Sequence, residues 1–198
     1  MKKMLVAILG IGLMAGCSSQ SPAPATTEKP QPKAIEPITG RSAFYKCYPA
    51  ARGWAADAQA YLVESEPTAD VKGHDGKAKS WRVAFASAQR RASKPYMWAS
   101  GDISFSPDDT YSPTNSSTHI FDPAFFKIDT DQALDVAQKN GGSKLLETEP
   151  DTSIFYVLAW DNNRNALFWH VIYGASRDEA KLRVAVNAST GDFVRVEK

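Results

Sequence analysis

The sequence has little cysteine, no apolar run long enough to cross a membrane, and no block of like charge. Cys17 and Cys47 are the only cysteines among 198 residues, and the formal net charge is +1. The apolar segment 4–14 is about 11 residues long, whereas a membrane-spanning helix needs about 20. The near-balanced charge disfavours nucleic acid as a partner, so we predict none.

Motifs for catalysis and metal binding are also missing. The three histidines, His74, His119 and His170, are scattered along the chain, and no metalloprotease, serine-hydrolase or phosphate-loop motif occurs. Alternation with Trp169 predicts that His170 lies exposed on the polar face of a strand. Cys47 has no nucleophile motif around it and is predicted to be a small buried hydrophobe. We therefore predict no enzymatic activity, no metal and no cofactor.

The N-terminus has the pattern of a secretory signal. Lys2 and Lys3 precede the apolar segment, and Ala15 and Gly16 come directly before Cys17. The segment "LMAGC" resembles the lipobox of bacterial lipoproteins. This resemblance implies that residues 1–16 are a removed signal peptide. It also implies that Cys17 becomes the mature N-terminus, carrying a diacylglycerol and an amide-linked acyl chain such as palmitate. The alternative is an ordinary secretory signal with an incidental cysteine.

Two or three acyl chains would anchor the chain stably in a membrane that it does not cross. In Gram-negative lipoproteins an Asp after the lipidated cysteine favours the inner membrane. By that resemblance, Ser18 favours the outer membrane, with the protein facing the periplasm. Residues 17–40 contain five prolines and few large apolar side chains. We predict that they form a disordered tether.

An internal repeat is visible in two strand-like segments. "SWRVAFASA" at 80–88 is similar to "FWHVIYGAS" at 168–176, and both alternate as strands with one buried face do. Aligning the tryptophans also aligns the two following apolar positions. The predicted core residues are Trp81, Val83 and Phe85 in the first segment and Trp169, Val171 and Tyr173 in the second.

Similar elements surround both segments. A capping box of Asp129 and Gln132 predicts a helix over about 130–140, ended by the glycine pair 141–142. Helical spacing also occurs over 44–54, where Pro49 is expected to interrupt or restart the helix. Strands are predicted at 58–66, around Trp81 and at 94–102 in the first half. In the second half they are predicted at 153–161, around Trp169 and at 181–188.

The expected fold class is therefore α+β, a tandem duplication of an αβββ unit with one helix packed on a three-stranded antiparallel sheet. The units are predicted at 41–125 and 126–198, after the signal peptide and tether. The alternative is two unrelated hairpins. The polar segment 104–119 is predicted as a loop between the units. It contains Asp108, Asp109, Thr110 and Asn115, whose spacing matches no known calcium loop.

The second unit resembles the PepSY domain over about residues 130–195. The similar segments are "ALDVAQKNGG", "FWHVIYGA" and "LRVAVNASTGDFV", although Asn187 stands where the family usually has Asp. By the repeat, the first unit would be a divergent copy. The segments "AFYK" and "ARGWA", over 43–55, also resemble uncharacterised bacterial lipoproteins. PepSY domains occur in propeptides of secreted metallopeptidases and in envelope proteins, which implies an inhibitory or binding role.

Three functions remain open at this stage. The first is a lipid-anchored envelope module that binds a protein or peptide and could restrain a peptidase. The second is a structural envelope lipoprotein with no discrete ligand, and the third is a hydrolase with an unrecognised site. Free sheet edges, a groove between the units and the 104–119 loop are the expected contact surfaces. An exposed tryptophan among Trp54, Trp98 and Trp160 also stays open.

Overall fold

The computed structural model describes residues 36–68, 70–115 and 117–197. Cys17, the predicted signal peptide and most of the predicted tether lie outside these residues. These described residues form one compact unit. In the part of the chain that is described, no helix combines the length and apolar character that a membrane span requires.

The described residues form three α-helices, one short 3-10 helix (Pro123–Phe125) and eleven strands. The helices are α1 (Gly40–Trp54), α2 (Thr130–Ala137) and α3 (Ser143–Thr148). In the first half the strands are β1 (Ile38–Thr39), β2 (Gln59–Ser65), β3 (Lys77–Ala78), β4 (Ser80–Ser87), β5 (Ala92–Ala99), β6 (Asp102–Phe105) and β7 (Asp109–Thr110). In the second half they are β8 (Ile154–Asp161), β9 (Ala166–Gly174), β10 (Ala180–Asn187) and β11 (Phe193–Glu197).

One antiparallel sheet runs through both halves. Its strand order is β11-β10-β9-β8-β2-β4-β5-β6, with β7 also paired to β5. The halves join where β2 pairs with β8, with Val63 opposite Leu158. The α+β class is confirmed, but the expectation of a separate three-stranded sheet in each unit is wrong. Pairing β2 with β8 satisfies the backbone groups of two strands that would otherwise be exposed edges.

Several segments predicted as irregular are strands. Ile38–Thr39, at the end of the predicted tether, pairs with Lys77–Ala78. The predicted loop 104–119 contains the end of β6 and all of β7, both paired with β5. The C-terminal tail forms β11 on the outer side of β10. Short strands of two to five residues carry too little periodicity for a sequence pattern to identify them.

Helix α1 runs through Pro49, so the predicted interruption is wrong. The buried face of the helix includes Phe44, Cys47 and Ala51, which lie on both sides of the proline in sequence. Pro49 itself is exposed, so the carbonyl that loses its hydrogen-bond donor lies on the solvent side of the helix. Packing of the buried face against the sheet therefore outweighs the cost of the proline.

The capping box at the start of α2 is present as predicted. The helix ends at the glycine pair as predicted, because the backbone of Asn140 and Gly141 leaves helical angles, and this kink separates α2 from α3. Gly141 there has φ of +113°, which a glycine adopts without strain. A Cβ on Gly142 would lie 2.1 Å from the Tyr173 hydroxyl, so only glycine allows this close approach to the sheet.

The core lies between the helices and one face of the sheet. All six predicted core residues are fully buried there: Trp81, Val83, Phe85, Trp169, Val171 and Tyr173. The rings of Trp81 and Trp169 meet edge to face at 6.5 Å. The equivalent strand positions of the two halves thus pack against each other in a single core.

Each tryptophan is also tied to the chain just before a helix. Trp81 Nε1 donates to the Ile38 carbonyl at 2.9 Å, and Trp169 Nε1 donates to the Ile128 carbonyl at 2.8 Å. Ile38 and Ile128 each come directly before the N-cap residue of a helix, Thr39 for α1 and Asp129 for α2. The two halves therefore share the same contact, in which a strand tryptophan donates a hydrogen bond to the residue before the N-cap of a helix.

The N-termini of α1 and α2 meet beside this tryptophan pair. The Gly40 amide donates to Thr130 Oγ1 at 3.1 Å, and the Arg41 amide donates to Asp129 Oδ1 at 2.9 Å. A Cβ on Gly40 would lie 2.6 Å from the Trp169 ring. The first turn of α1 thus takes hydrogen-bond acceptors from the second half, which ties the halves together.

We predict that Trp81→Ala and Trp169→Ala each lower the free energy of unfolding by about 3–5 kcal/mol, because each empties a fully buried site. Urea unfolding followed by circular dichroism measures the change. Phe105→Ala is the control, since this side chain is 65 % exposed, and it should cost less than about 0.5 kcal/mol. Losses below about 1 kcal/mol for both tryptophan variants would contradict the shared core.

Candidate functional site

The face of the sheet opposite the helices, called here the open face, carries a second apolar cluster. Along β8, Ile154, Tyr156 and Leu158 belong to the main core, whereas Phe155 and Val157 belong to the second cluster. This alternation follows from the two-residue period of a strand. The cluster is completed by Ile172 of β9, with Leu62 and Ala180 packed against it.

A cleft of about 490 Å³ lies on the open face beside this cluster. That volume is within the usual range for ligand pockets. Four strands, β8, β9, β10 and β11, and the loop between β9 and β10 contribute to its walls. Its apolar lining residues are Val157, Ala159, Ile172 and Val196, and its polar ones are His170, Arg177, Arg183, Arg195 and Glu197. We call it the open-face cleft.

A chain of charged hydrogen bonds holds one wall of the cleft. His170 Nδ1 on β9 and Glu197 Oε2 on β11 are 2.7 Å apart, so this contact reaches across β10. Arg195 then contacts Glu197 at 2.6 Å and Asp161 at 3.2 Å. His170 does lie on the face away from Trp169, but it is half-buried and paired rather than exposed as predicted. The network therefore links the outermost strand, β11, to β9 and β8, across the intervening β10.

The network favours ionisation of the carboxyl groups of Glu197 and Asp161. Burial alone would raise the pKa of Glu197. The hydrogen bond with His170 and the positive charges of Arg195 and Arg183 outweigh that effect, so the pKa lies below its usual value. Burial likewise opposes ionisation of Asp161, but backbone hydrogen bonds and Arg195 lower its pKa. Both side chains are therefore carboxylates at neutral pH.

The other two arginines differ in how they are paired. Arg177 forms an ion pair with Glu64 at 2.5 Å. Arg183 Nη2 donates to the Arg177 carbonyl at 2.8 Å, while its Nε is buried without a hydrogen-bond partner. Among the described residues, Arg183 forms no ion pair with a carboxylate. Of the three arginines that line the cleft, Arg183 is therefore the one that contacts no carboxylate among the described residues.

The remaining candidate residues lie elsewhere. Burial raises the pKa of the Cys47 thiol to about 12, so this side chain stays a protonated core residue. His74 contacts the Thr152 carbonyl at 2.7 Å. Asp108 accepts hydrogen bonds from Trp54 Nε1 and Lys94 Nζ. Over the described ranges, no three His, Cys, Asp or Glu side chains are grouped so that they could hold a metal ion.

The tryptophans left open by the sequence do not form an exposed platform. Trp98 is buried in the core, whereas Trp54 and Trp160 are half-buried. Arg90 and Lys94 lie over the Trp54 ring, and Phe125 packs edge to face on Trp160. Each of these two rings is thus partly covered by neighbouring side chains of the same chain.

The sequence analysis did not identify the arginines of the cleft. A signal for them is present in the strand periodicity. In β10, Arg183 alternates with the buried Val184, and in β11, Arg195 and Glu197 flank Val196. Alternation therefore places all three charged residues on one face. Their grouping depends on the register between β10 and β11, which sets Arg183 opposite Glu197.

Comparisons with known proteins identify a similar fold. No protein-family model and no curated protein sequence matches this chain. Among solved structures, a crystal structure described as that of a putative lipoprotein from Clostridium difficile 630 is similar, with a TM-score of 0.51. The sequences are 13 % identical, and the similarity covers 83 % of this chain and 95 % of that one. At this identity the likeness shows a shared fold.

We predict that Glu197→Gln lowers the free energy of unfolding by about 1.5 kcal/mol at neutral pH, because a charged hydrogen-bond acceptor is lost. The folded-state pKa of Glu197 is depressed. Its contribution is therefore present above the unfolded-state pKa of about 4.3 and lost as the pH falls through the folded-state value.

Urea unfolding at pH 7 and below pH 4 measures both effects. The difference in the free energy of unfolding between wild type and Glu197→Gln should become smaller at the lower pH. Glu66→Gln, at an exposed carboxylate, serves as the control. A gap that is constant across this range would show that the charge of Glu197 does not stabilise the fold.

Proposed function

We propose that this chain is a lipid-anchored protein of the bacterial cell envelope that binds an extended segment of a partner protein along β11 without turning it over. The resemblance of "LMAGC" to a lipobox supports anchoring through Cys17. The shared fold with a protein described as a putative lipoprotein is in keeping with it. Ser18 favours the outer membrane, facing the periplasm, if the host is Gram-negative.

The observation that carries the binding proposal is the exposed edge of β11. In the described part of the chain β11 has one sheet neighbour, β10, so its other side presents unpaired backbone groups. Phe193 and Val196 on this strand are 43 % and 49 % exposed. An apolar exposed edge accepts an extended peptide by strand addition, in which backbone hydrogen bonds supply the affinity.

The opposite edge of the sheet is less suited to such a partner. There the four-residue β6 and the two-residue β7 share β5 as their neighbour, so no single continuous strand is presented. The open-face cleft lies beside β11 and takes Arg195 and Glu197 from it. A strand added to β11 would therefore have a pocket next to its alternate side chains, which is how strand-addition sites gain specificity.

The predicted groove between the units is replaced by the β2–β8 pairing, which leaves β11 as the favoured surface. We infer further that the two halves arose by duplication. The equivalent bonds of Trp81 and Trp169 to the carbonyls before α1 and α2 support this inference. By its resemblance to PepSY domains, restraint of a secreted peptidase is one form that the binding could take.

The edge proposal predicts site-specific crosslinking in intact cells. A photoreactive phenylalanine analogue at position 193 should capture a discrete partner, whereas the same analogue at position 105 on β6 should not. Val196→Lys places a charge on the β11 edge and should reduce the capture at least several-fold, since edge lysines oppose strand addition. The matched control is Ile103→Lys, at an apolar residue 40 % exposed on the other edge.

Equal capture from positions 193 and 105, or capture insensitive to Val196→Lys, would contradict binding at β11. No capture at either position would favour a structural lipoprotein without a discrete ligand. Metabolic lipid labelling tests the anchor, because wild type should incorporate the label, whereas Cys17→Ser should not and should be found soluble or unprocessed. Reproducible hydrolysis by the purified protein, abolished by one side-chain change, would contradict binding without turnover.

A further inference from the structure

We propose that the open-face cleft binds a carboxylate side chain of an acidic partner segment, with Arg183 as its anion-binding group. This inference rests on the proposed binding at β11, and it adds the chemistry that the site selects. The occupant is an extended acidic peptide with apolar residues beside its carboxylate.

The state of Arg183 is the first argument. Its guanidinium carries five N–H donors. One of those on Nη2 is donated to the Arg177 carbonyl, and the one on Nε is buried without a partner. A buried donor of a charged group costs free energy until an acceptor is supplied. Arg195 and Arg177 are already paired with carboxylates, so Arg183 is the cleft cation best placed to receive an additional one.

The surroundings of Arg183 are the second argument. The lining of the cleft contains three arginines and one carboxylate, Glu197, and this carboxylate is occupied by His170 and Arg195. Glu64 and Asp161 neutralise Arg177 and Arg195, so the cation that an entering anion meets is Arg183. The floor is apolar, with Val157, Ala159 and Ile172, so it can take the aliphatic part of a glutamate or a neighbouring apolar side chain.

The third argument is the position of the cleft relative to β11. Arg183 lies opposite Glu197 in the β10–β11 register. A strand added to β11 would run about 9.5 Å from β10, because neighbouring strands are about 4.8 Å apart. A glutamate side chain on the added strand and the long arginine side chain can together span that distance. The same bound segment can thus use the β11 backbone and the cleft.

A pair of defined peptides tests the selection. The probe is a fluorescently labelled Val-Glu-Val-Glu-Val peptide with blocked ends, and its partner is the same peptide with glutamine in place of glutamate. Fluorescence anisotropy with the purified protein should show tighter binding of the glutamate peptide by about tenfold, the effect of one hydrogen-bonded charge pair. The preference should shrink as the salt concentration rises.

Arg183→Gln should abolish the preference for glutamate, whereas Arg183→Lys, which keeps the charge, should retain part of it. The control is Arg52→Gln, at an exposed arginine on α1. Thermal unfolding of each variant confirms that it is folded before binding is measured. Inorganic phosphate is titrated separately to see whether a small anion alone occupies the cleft.

Equal binding of the two peptides to wild type would overturn the assignment of a carboxylate site, even if partner capture at β11 succeeds. Binding of phosphate at Arg183 without binding of either peptide would overturn it in favour of a small-anion site. A preference for glutamate that survives Arg183→Gln would remove Arg183 from the role. Failure of the crosslinking at β11 with a preserved glutamate preference would overturn only the proposed function.

Discussion

The contact between Trp81 and Trp169 is the constraint on which the rest of the structure depends. Each indole is fully buried in the shared core, and each donates a hydrogen bond to the carbonyl just before the N-cap of a helix. The two rings also pack on each other, and the first turn of α1 borrows acceptors from the start of α2. With no disulfide available in the folded part, these contacts and the β2–β8 pairing hold the halves together. We expect a half of this size to be only marginally stable alone.

Joining the halves determines which strand edges of the large sheet stay unpaired. The β2–β8 pairing removes two edges from the sheet, and the short β6 and β7 break up a third. In the large sheet this leaves β11 as the continuous edge strand, and the contacts from His170 through Glu197 and Arg195 to Asp161 hold it in place. The same chain of contacts forms one wall of the open-face cleft. The same contacts thus hold the unpaired edge of β11 in place and form the cleft beside it.

Local patterns in the sequence predicted the parts of the fold that depend on local physics. The capping box at Asp129 and the alternation around Trp81 and Trp169 identified a helix and two buried strands. The order of elements in each half followed from the repeat. The β2–β8 pairing could not be predicted in this way, because its partners are about a hundred residues apart and strand alternation does not specify a neighbour. The interruption predicted at Pro49 was wrong because packing of Cys47 and Ala51 in the core outweighs the local cost of a proline inside a helix. The arginines of the cleft were visible as alternating positions, but their grouping depends on the register of β10 with β11.

Native-state hydrogen exchange tests the central claim, that both halves share one core and leave one strand edge open. The account predicts that amides in β4 of the first half and β9 of the second exchange with the same free energy, equal to that of global unfolding in urea. The outward-facing amides of β11 should exchange much faster. If the strands of one half exchanged together at a clearly lower free energy than those of the other, the halves would be independent units and the account would be contradicted.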